Sequence, residues 1–297
     1  MRRTPILALT LALAACTATR VEAPVAPVDL TAPPAPVPIA AAQGPTEILV
    51  LGDSQISFGA GGAYTRFFGA LGANCAGLPP RYARAKAAAI GVRSSALHHW
   101  TAADGPARGT VCDVDPTFGV NAGAYGVTSP GRSYVQIGTD PAYPFCPTGR
   151  SPLQAVFDAP AHDPDLVVLA FLGNGAARWQ SPATARADWA AARAQLPADV
   201  ACLVMTTIPA YVPADNRRRA VAQGHLGDAV RASGRCAFVP GLTDTTLGAF
   251  ENNPAHFRTD AAGTVTDPRH PTARSAARFF ELQTPALCAA LARALPN

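Results

Sequence analysis

The feature that most constrains the fold of this chain is an alternation between short apolar runs and longer segments of helical periodicity, beginning near residue 46. Apolar runs of this length are typical of buried β-strands. Strands that alternate with helices favour a parallel sheet with helices packed on both of its faces. The sequence therefore predicts one α/β domain over residues 46–297.

The predicted strands are Glu47–Leu51, Ala87–Val92, Leu166–Leu172, Ala201–Thr206 and Cys236–Val239. The predicted helices are Tyr64–Leu71, Leu153–Phe157, Pro182–Leu196, Ala214–Ala232, Arg274–Leu282 and Pro285–Leu295. Residues 101–150 interrupt the alternation with many glycines, prolines and tyrosines, which predicts loops or a small β insertion. Because ligands of parallel α/β sheets bind beyond the carboxyl ends of the strands, we expect functional side chains directly after these strands.

The N-terminal segment predicts export. Arg2 and Arg3 precede an apolar stretch that has the length of a signal-peptide core and is too short to span a membrane. The stretch ends in Leu13-Ala14-Ala15-Cys16, which resembles a bacterial lipobox. That resemblance implies that residues 1–15 are removed and that Cys16 carries a lipid anchor. With Thr17 next to the lipidated cysteine, it also implies the outer membrane of a Gram-negative cell, facing the periplasm or the cell surface. An ordinary signal peptide is the alternative.

Residues 16–45 form a second segment, rich in proline and alanine. Such a composition is typical of an extended linker that buries no core. We expect it to hold the folded domain away from the membrane. The net charge of the chain, +4, falls to +2 when Arg2 and Arg3 leave with the signal, and this bias is too small to indicate a nucleic-acid partner.

The chain has seven cysteines, six of them in addition to Cys16. An even number in an exported protein favours disulfides, although sequence alone leaves the pairing open. The positions of the cysteines relative to the predicted elements favour three pairs: Cys75–Cys288, Cys112–Cys146 and Cys202–Cys236. A zinc site is disfavoured because no Cys-x-x-Cys or paired Cys/His spacing occurs. We predict neither a metal nor any other cofactor.

Two motifs near opposite ends of the predicted domain suggest nucleophilic catalysis. Gly52-Asp53-Ser54 directly follows the first strand, where glycine permits a tight turn that exposes the side chains after it. A serine nucleophile needs a base, and the base needs an orienting carboxylate. In Asp267-Pro268-Arg269-His270, Asp267 and His270 could supply both from one loop. Asp53 is interpreted as a structural residue that hydrogen-bonds the loop. Taken singly, each motif also fits an ordinary turn or helix cap.

In this order, the motifs resemble the sequence blocks of the SGNH/GDSL hydrolases, and the resemblance spans nearly all of residues 46–297. Gly52-Asp53-Ser54 matches the first block and Asp267-Pro268-Arg269-His270 the last. Ile90-Gly91-Val92-Arg93-Ser94-Ser95 corresponds to the second block, with Ser94 where a glycine is usual. Leu172-Gly173-Asn174-Gly175 corresponds to the third block, Gly-x-Asn-Asp, but its glycine directly precedes the asparagine and the acidic residue after the asparagine is absent.

The resemblance implies a flavodoxin-like, three-layer α/β/α sandwich that hydrolyses esters or thioesters. Carried onto this sequence, it makes Ser54 the nucleophile, His270 the base and Asp267 the residue that orients the base. The oxyanion hole would consist of the backbone N–H groups of Ser54 and Ser94 and the side-chain amide of Asn174. Two further residues that follow the second strand, Arg93 and Trp100, are hypothesised to line a substrate groove.

The favoured function is a serine esterase, anchored to the cell envelope, that removes short acyl groups such as acetyl from envelope glycans. A lysophospholipase or thioesterase would use the same residues, and so would a glycan O-acyltransferase. A surface lipoprotein that has lost catalysis and only binds glycans is the non-enzymatic alternative.

Overall fold

The structure is a computed structural model that describes residues 46–56, 60–82, 85–92, 94–103, 120–124, 134–137, 149–158 and 162–295. Several predictions fall outside these described residues. They are the signal peptide over 1–15, the lipidated Cys16 with the linker over 16–45, Arg93, the pair Cys112–Cys146, and most of the insertion over 101–150.

The strands of the main sheet are β1 (Thr46–Gly52), β2 (Ala87–Val92), β3 (Val120–Ala124), β4 (Tyr134–Ile137), β5 (His162–Ala170), β6 (Ala201–Met205) and β7 (Ala237–Val239). Their order across the sheet is β4-β3-β2-β1-β5-β6-β7. The five strands β2, β1, β5, β6 and β7 are parallel. β3 and β4, which belong to the predicted insertion, are antiparallel and extend the sheet beyond β2. A separate antiparallel pair consists of β8 (Phe257–Thr259) and β9 (Val265–Pro271).

The helices of the described residues are α1 (Gly61–Gly69), α2 (Leu71–Asn74), α3 (Leu97–Thr101), α4 (Pro152–Asp158), α5 (Pro182–Arg193), α6 (Pro213–Ser233), α7 (Asp244–Phe250) and α8 (Ala273–Ala294). Within those residues, no helix combines the length and the hydropathy that crossing a bilayer requires.

Side chains of the parallel strands alternate between two apolar layers, one on each face of the sheet. Leu49 and Leu51 of β1 belong to a layer that includes buried residues of α3, α4, α5 and α6. Ile48 and Val50 belong to the opposite layer, with the aromatic residues of α1 and α8. The prediction of an α/β fold with a parallel sheet covered on both faces is confirmed, and the architecture is consistent with a flavodoxin-like sandwich.

The end of the chain departs from the prediction of two helices separated before Pro285. The structure has one helix, α8, with Pro285 inside it. A proline within a helix removes one backbone hydrogen bond and is unfavourable in isolation. Here Phe280 on one side of it and Leu287 and Leu291 on the other are fully buried in the same apolar layer. We attribute the continuous helix to this shared burial, which outweighs the local preference.

Two of the three predicted disulfides lie within the described residues, and both are present. Cys75–Cys288 joins the segment after α2 to α8, and Cys202–Cys236 joins the starts of the neighbouring strands β6 and β7. The first bond links α8, which directly follows β9, to the part of the chain that packs on β1 and β2.

The two disulfides differ in the length of chain that they close, with sequence separations of 213 and 34 residues. In the chain-entropy model, the longer loop is worth roughly 1.6 kcal/mol more to the free energy of unfolding. We expect the double variant Cys75→Ala/Cys288→Ala to lose more stability in urea unfolding than Cys202→Ala/Cys236→Ala. A larger loss in the second variant would contradict this ranking.

Candidate active site

A cavity of about 500 Å³ opens where the parallel strands end at their carboxyl termini. Segments that follow β1, β2, β5 and β6 contribute to its wall, together with α6 and β9. The described residues that line it are Asp53, Ser54, Gln55, Ser94, Gly173, Asn174, Ala176, Ala177, Gln180, Ala210, Asp215, Arg218, Arg219, Arg269 and His270. The cavity therefore unites residues from both ends of the described chain.

Ser54 enters this cavity because the chain turns sharply at the end of β1. A Cβ atom on Gly52 would lie 2.5 Å from the Ile56 Cδ1 atom and 2.7 Å from the carbonyl oxygen of Ala170. Only glycine fits such a close approach between the turn and the neighbouring strand. Ser54 follows two residues later, at the start of a helical turn, and is partly exposed.

The Ser54 side chain meets the side chains of His270 and Asp267 in one continuous hydrogen-bonded array. Ser54 Oγ lies 2.9 Å from His270 Nε2, and His270 Nδ1 lies 2.9 Å from each carboxylate oxygen of Asp267. The carboxylate accepts the Nδ1 proton, so Nε2 is the nitrogen that can accept the proton of the serine hydroxyl. The arrangement can activate a serine nucleophile.

Asp267 and His270 lie on β9, whereas the sequence placed them on a loop. The short pairing of β8 with β9 is irregular, and such pairs leave little trace in the pattern of apolar residues. Asp267 Oδ1 also accepts the backbone N–H of His270 at 3.2 Å, and the Tyr211 N–H donates to the Pro268 carbonyl at 2.7 Å. These bonds fix the backbone of the segment that carries the imidazole.

Gln55, next in the chain to Ser54, ties the serine turn to β9. Its Nε2 donates to the carbonyl oxygens of Ile208, at 2.9 Å, and Arg269, at 3.0 Å, and its Oε1 accepts the Ile208 N–H at 2.8 Å. The side chain is buried, so each bond is shielded from water and each lost partner would leave a buried polar group unpaired. Gln55 therefore positions the backbone beside His270 relative to Ser54.

Asp53 is buried next to the serine and has the structural role predicted for it. Its carboxylate accepts the N–H groups of Gln55, at 3.0 Å, and Leu172, at 3.5 Å. Burial raises the pKa of Asp53, while the Gln55 hydrogen bond and the positive charge of Arg219 act in the opposite direction. Burial also lowers the pKa of Arg219 to about 10, against the favourable charge of Asp53. The two buried charges stabilise each other beside the cavity.

Ser94 and Asn174, the other proposed oxyanion donors, lie together at the cavity wall. The Asn174 side-chain amide donates to the carbonyl oxygen of Ser95 at 2.9 Å, and its nitrogen carries a second hydrogen. Ser94 has a backbone φ of 59°, in the left-handed region that glycine enters at no steric cost. Ser94 therefore occupies a backbone conformation that glycine would adopt more readily than a residue with a side chain.

Trp100 does not line the cavity, which corrects its placement in a substrate groove. The side chain is fully buried, packs edge-on against Phe171 and donates from Nε1 to Ser95 Oγ at 3.2 Å. The tryptophan lies on α3 and belongs to the apolar layer that also contains Leu49 and Leu51. Its hydrogen bond to Ser95 links α3 to the turn that carries Ser94. Arg93, the other residue assigned to the groove, lies outside the described residues.

Two features of the site were not predicted from the sequence. The first is the cationic wall of the cavity, which consists of Arg218, Arg219 and Arg269. The second is the Gln55 clamp, the set of buried hydrogen bonds from Gln55 to Ile208 and Arg269. Arg218 and Arg219 belong to a visible run of three arginines, and Arg269 adjoins the histidine, but their convergence depends on the tertiary fold.

Among the residues that the structure describes, no group of three or more His, Cys, Asp or Glu side chains is arranged to hold a metal ion. Neither protein-family models nor curated proteins gave a match to this chain.

The Gln55 clamp predicts a change in serine reactivity that does not depend on any substrate. Gln55→Met keeps the bulk of the side chain but removes its hydrogen bonds to Ile208 and Arg269. Because misplacement of a reacting group by about 1 Å can cost about 100-fold in rate, we expect phosphonylation of Ser54 by a serine-directed phosphonate to slow by about 10- to 100-fold. Labelling kinetics would be followed by mass spectrometry.

The matched control is Gln283→Met. Gln283 is also buried and also donates to two carbonyl oxygens, those of Pro240 and Gly241, but it does not line the cavity. Both variants should lose stability, and only Gln55→Met should lose labelling rate. Equal labelling rates in the two variants would show that Gln55 does not position the site.

Proposed function

We propose that this protein is a serine ester hydrolase of the SGNH/GDSL type. One observation carries the proposal, the array in which Ser54 Oγ lies 2.9 Å from His270 Nε2 while His270 Nδ1 lies 2.9 Å from the Asp267 carboxylate. A nucleophile, a base and an orienting acid in contact are what acyl transfer through serine requires. The order of the motifs along the chain supports the same assignment.

In the proposed reaction, His270 Nε2 takes the hydroxyl proton while Ser54 Oγ bonds to the ester carbonyl carbon. The tetrahedral intermediate then collapses, the bond to the alcohol breaks, and His270 returns the proton to the leaving oxygen. This step leaves an acyl group on Ser54. A water molecule deprotonated by His270 then attacks the acyl carbon, the bond to Ser54 Oγ breaks, His270 returns the proton to that oxygen, and the carboxylic acid leaves. Asp267 orients the imidazole and stabilises the imidazolium in both halves.

The negative charge of the tetrahedral oxygen needs donors that are fixed before the reaction. The backbone N–H groups of Ser54 and Ser94 and the second hydrogen of the Asn174 amide are the donors of the proposal. Loss of one such donor typically lowers kcat by about 10²–10³. The hydrogen bond from Asn174 to the Ser95 carbonyl would fix the position of the Asn174 amide relative to the neighbouring Ser94 N–H.

The proposed substrate is an ester with a short acyl group, acetyl above all, on a glycan of the cell envelope. Among the described residues, the apolar side chains that line the cavity are those of alanines, at positions 176, 177 and 210, which offer little apolar surface to a long acyl chain. The location in the envelope rests on the lipobox-like sequence that ends at Cys16. We propose that its lipid anchor and linker bring the domain to polymeric substrates.

The first test is Ser54→Ala, assayed by turnover of p-nitrophenyl acetate and by acetate release from O-acetylated envelope polysaccharide. We expect a fall in kcat of about 10³-fold or more, because removing a serine nucleophile removes the covalent route. Ser181→Ala provides the control, since Ser181 caps α5 and does not line the cavity. A serine-directed phosphonate should label the wild type at Ser54 and leave Ser54→Ala unlabelled.

Two results would overturn the proposal. Absence of labelling and turnover in correctly folded wild type would favour a glycan-binding lipoprotein without catalysis. Transfer of acetyl to an added sugar acceptor, with no release of acetate, would instead identify a glycan O-acyltransferase.

A further inference from the structure

We propose that the cavity binds a singly charged anionic group on the alcohol portion of the ester, through Arg218 and Arg269. This inference rests on the proposed ester hydrolysis and defines the class of substrate that the same site accepts. The ligand chemistry is a carboxylate or a phosphate diester attached to the acylated alcohol.

Arg218 and Arg269 reach the cavity from different elements. Arg218 lies near the start of α6 and Arg269 lies on β9, next to His270. Both line the cavity that contains Ser54, and their side chains are 70% and 71% exposed. Their guanidinium groups are therefore available to a ligand that occupies the cavity.

Asp215 sets the charge of this wall. Its carboxylate accepts a hydrogen bond from Arg218, and its Oδ2 lies 3.7 Å from Arg269 Nε. Among the described residues, one carboxylate between two guanidinium groups leaves one positive charge on the exposed part of this wall, while the nearby Asp267 carboxylate is hydrogen-bonded to His270. A singly charged ligand would neutralise this charge, whereas a neutral alcohol would leave it uncompensated.

A third arginine of the cavity lining, Arg219, has its guanidinium group hydrogen-bonded to the protein. Its Nη2 donates to Thr207 Oγ1 at 2.9 Å and to the Ile208 carbonyl at 3.1 Å. The side chain is buried, and its charge is opposed by the buried Asp53. Arg219 thus supports the cavity, and the ligand contacts are assigned to the two exposed arginines.

The position of Arg269 indicates which part of the ester carries the charge. His270 must reach the leaving oxygen of the alcohol, and Arg269, which precedes it on β9, lines the same cavity. The proposed oxyanion donors Ser94 and Asn174 come instead from the segments after β2 and β5. An anionic group near Arg269 therefore belongs to the alcohol rather than to the acyl group.

Guanidinium groups suit this ligand because their planar, forked donors match the paired oxygens of a carboxylate or a phosphate. Two of them from separate elements can also fix the orientation of the alcohol around the ester bond. Both ligand sources, an acidic sugar and a phosphate diester, present these oxygens with one negative charge.

The test compares acetate esters that differ in the charge of the alcohol. The first pair is an O-acetylated methyl glucuronoside and the corresponding neutral glucuronamide. The second pair is an acetylated glycerol phosphate diester and acetylated glycerol. For the wild type, we expect kcat/KM to be about fivefold or more higher for the anionic member of at least one pair, the size expected of a partly exposed charge pair. Added salt should reduce the preference.

Single variants then assign the preference to the proposed residues. Arg218→Gln and Arg269→Gln should each lower the ratio of anionic to neutral kcat/KM, and the double variant should bring it to about one. Asp215→Asn should change the ratio in the opposite direction, because it removes the competing carboxylate. A purely structural role for these residues would not reverse sign. Arg217→Gln is the control, since Arg217 is an exposed residue of α6 that does not line the cavity.

The outcomes separate this inference from the proposed function. Equal kcat/KM for charged and neutral acetates, or a ratio unchanged in the double variant, would overturn the anionic subsite while ester hydrolysis stands. Absence of turnover on all four acetates, together with absence of Ser54 labelling, would overturn both. The pair that shows the preference identifies whether the charge comes from a carboxylate or a phosphate.

Discussion

The site depends on one hydrogen bond, between Ser54 Oγ and His270 Nε2, which joins residues 216 positions apart in the chain. Neither side chain could hold the other alone. Ser54 follows β1, which is paired on both sides within the sheet. His270 lies on β9, whose backbone is held by Gln55 and Tyr211, and the next element, α8, packs against α1. The hydrogen bond therefore forms because two segments that are distant in sequence are each held in place by contacts with the rest of the domain.

The sequence predicted those parts of the fold that local patterns encode. β2 has the predicted bounds Ala87–Val92, and the other parallel strands lie at or near the predicted runs. Buried strands and amphipathic helices have periodicities that appear within a few residues. β9 and the continuous α8 were missed because long-range contacts determine them, the first through pairing with a three-residue strand and the second through burial on both sides of Pro285.

The candidate site likewise contains residues that local sequence motifs predict and residues whose role only tertiary contacts determine. Ser54, Asp267 and His270 could be predicted because their chemistry is tied to short motifs, and the structure brings them into contact. Trp100 was misplaced because nothing in its sequence neighbourhood shows that α3 turns it into the core. Gln55 could not be ranked above any other glutamine, since its importance comes entirely from its contacts with the segments at Ile208 and Arg269.

The charges around His270 link the array of Ser54, His270 and Asp267 to the cationic wall. In the proposed reaction the imidazole becomes an imidazolium in the cavity that Arg269 also lines, and positive charge in that cavity opposes the step. Asp267, with both oxygens 2.9 Å from Nδ1, favours it, and Asp215 offsets part of the charge of Arg269. A bound anionic alcohol would neutralise the remaining positive charge at the moment when the imidazolium forms. Substrate recognition and proton transfer would then be electrostatically linked. The arginines that bind the anion carry the positive charge that would otherwise make formation of the imidazolium less favourable.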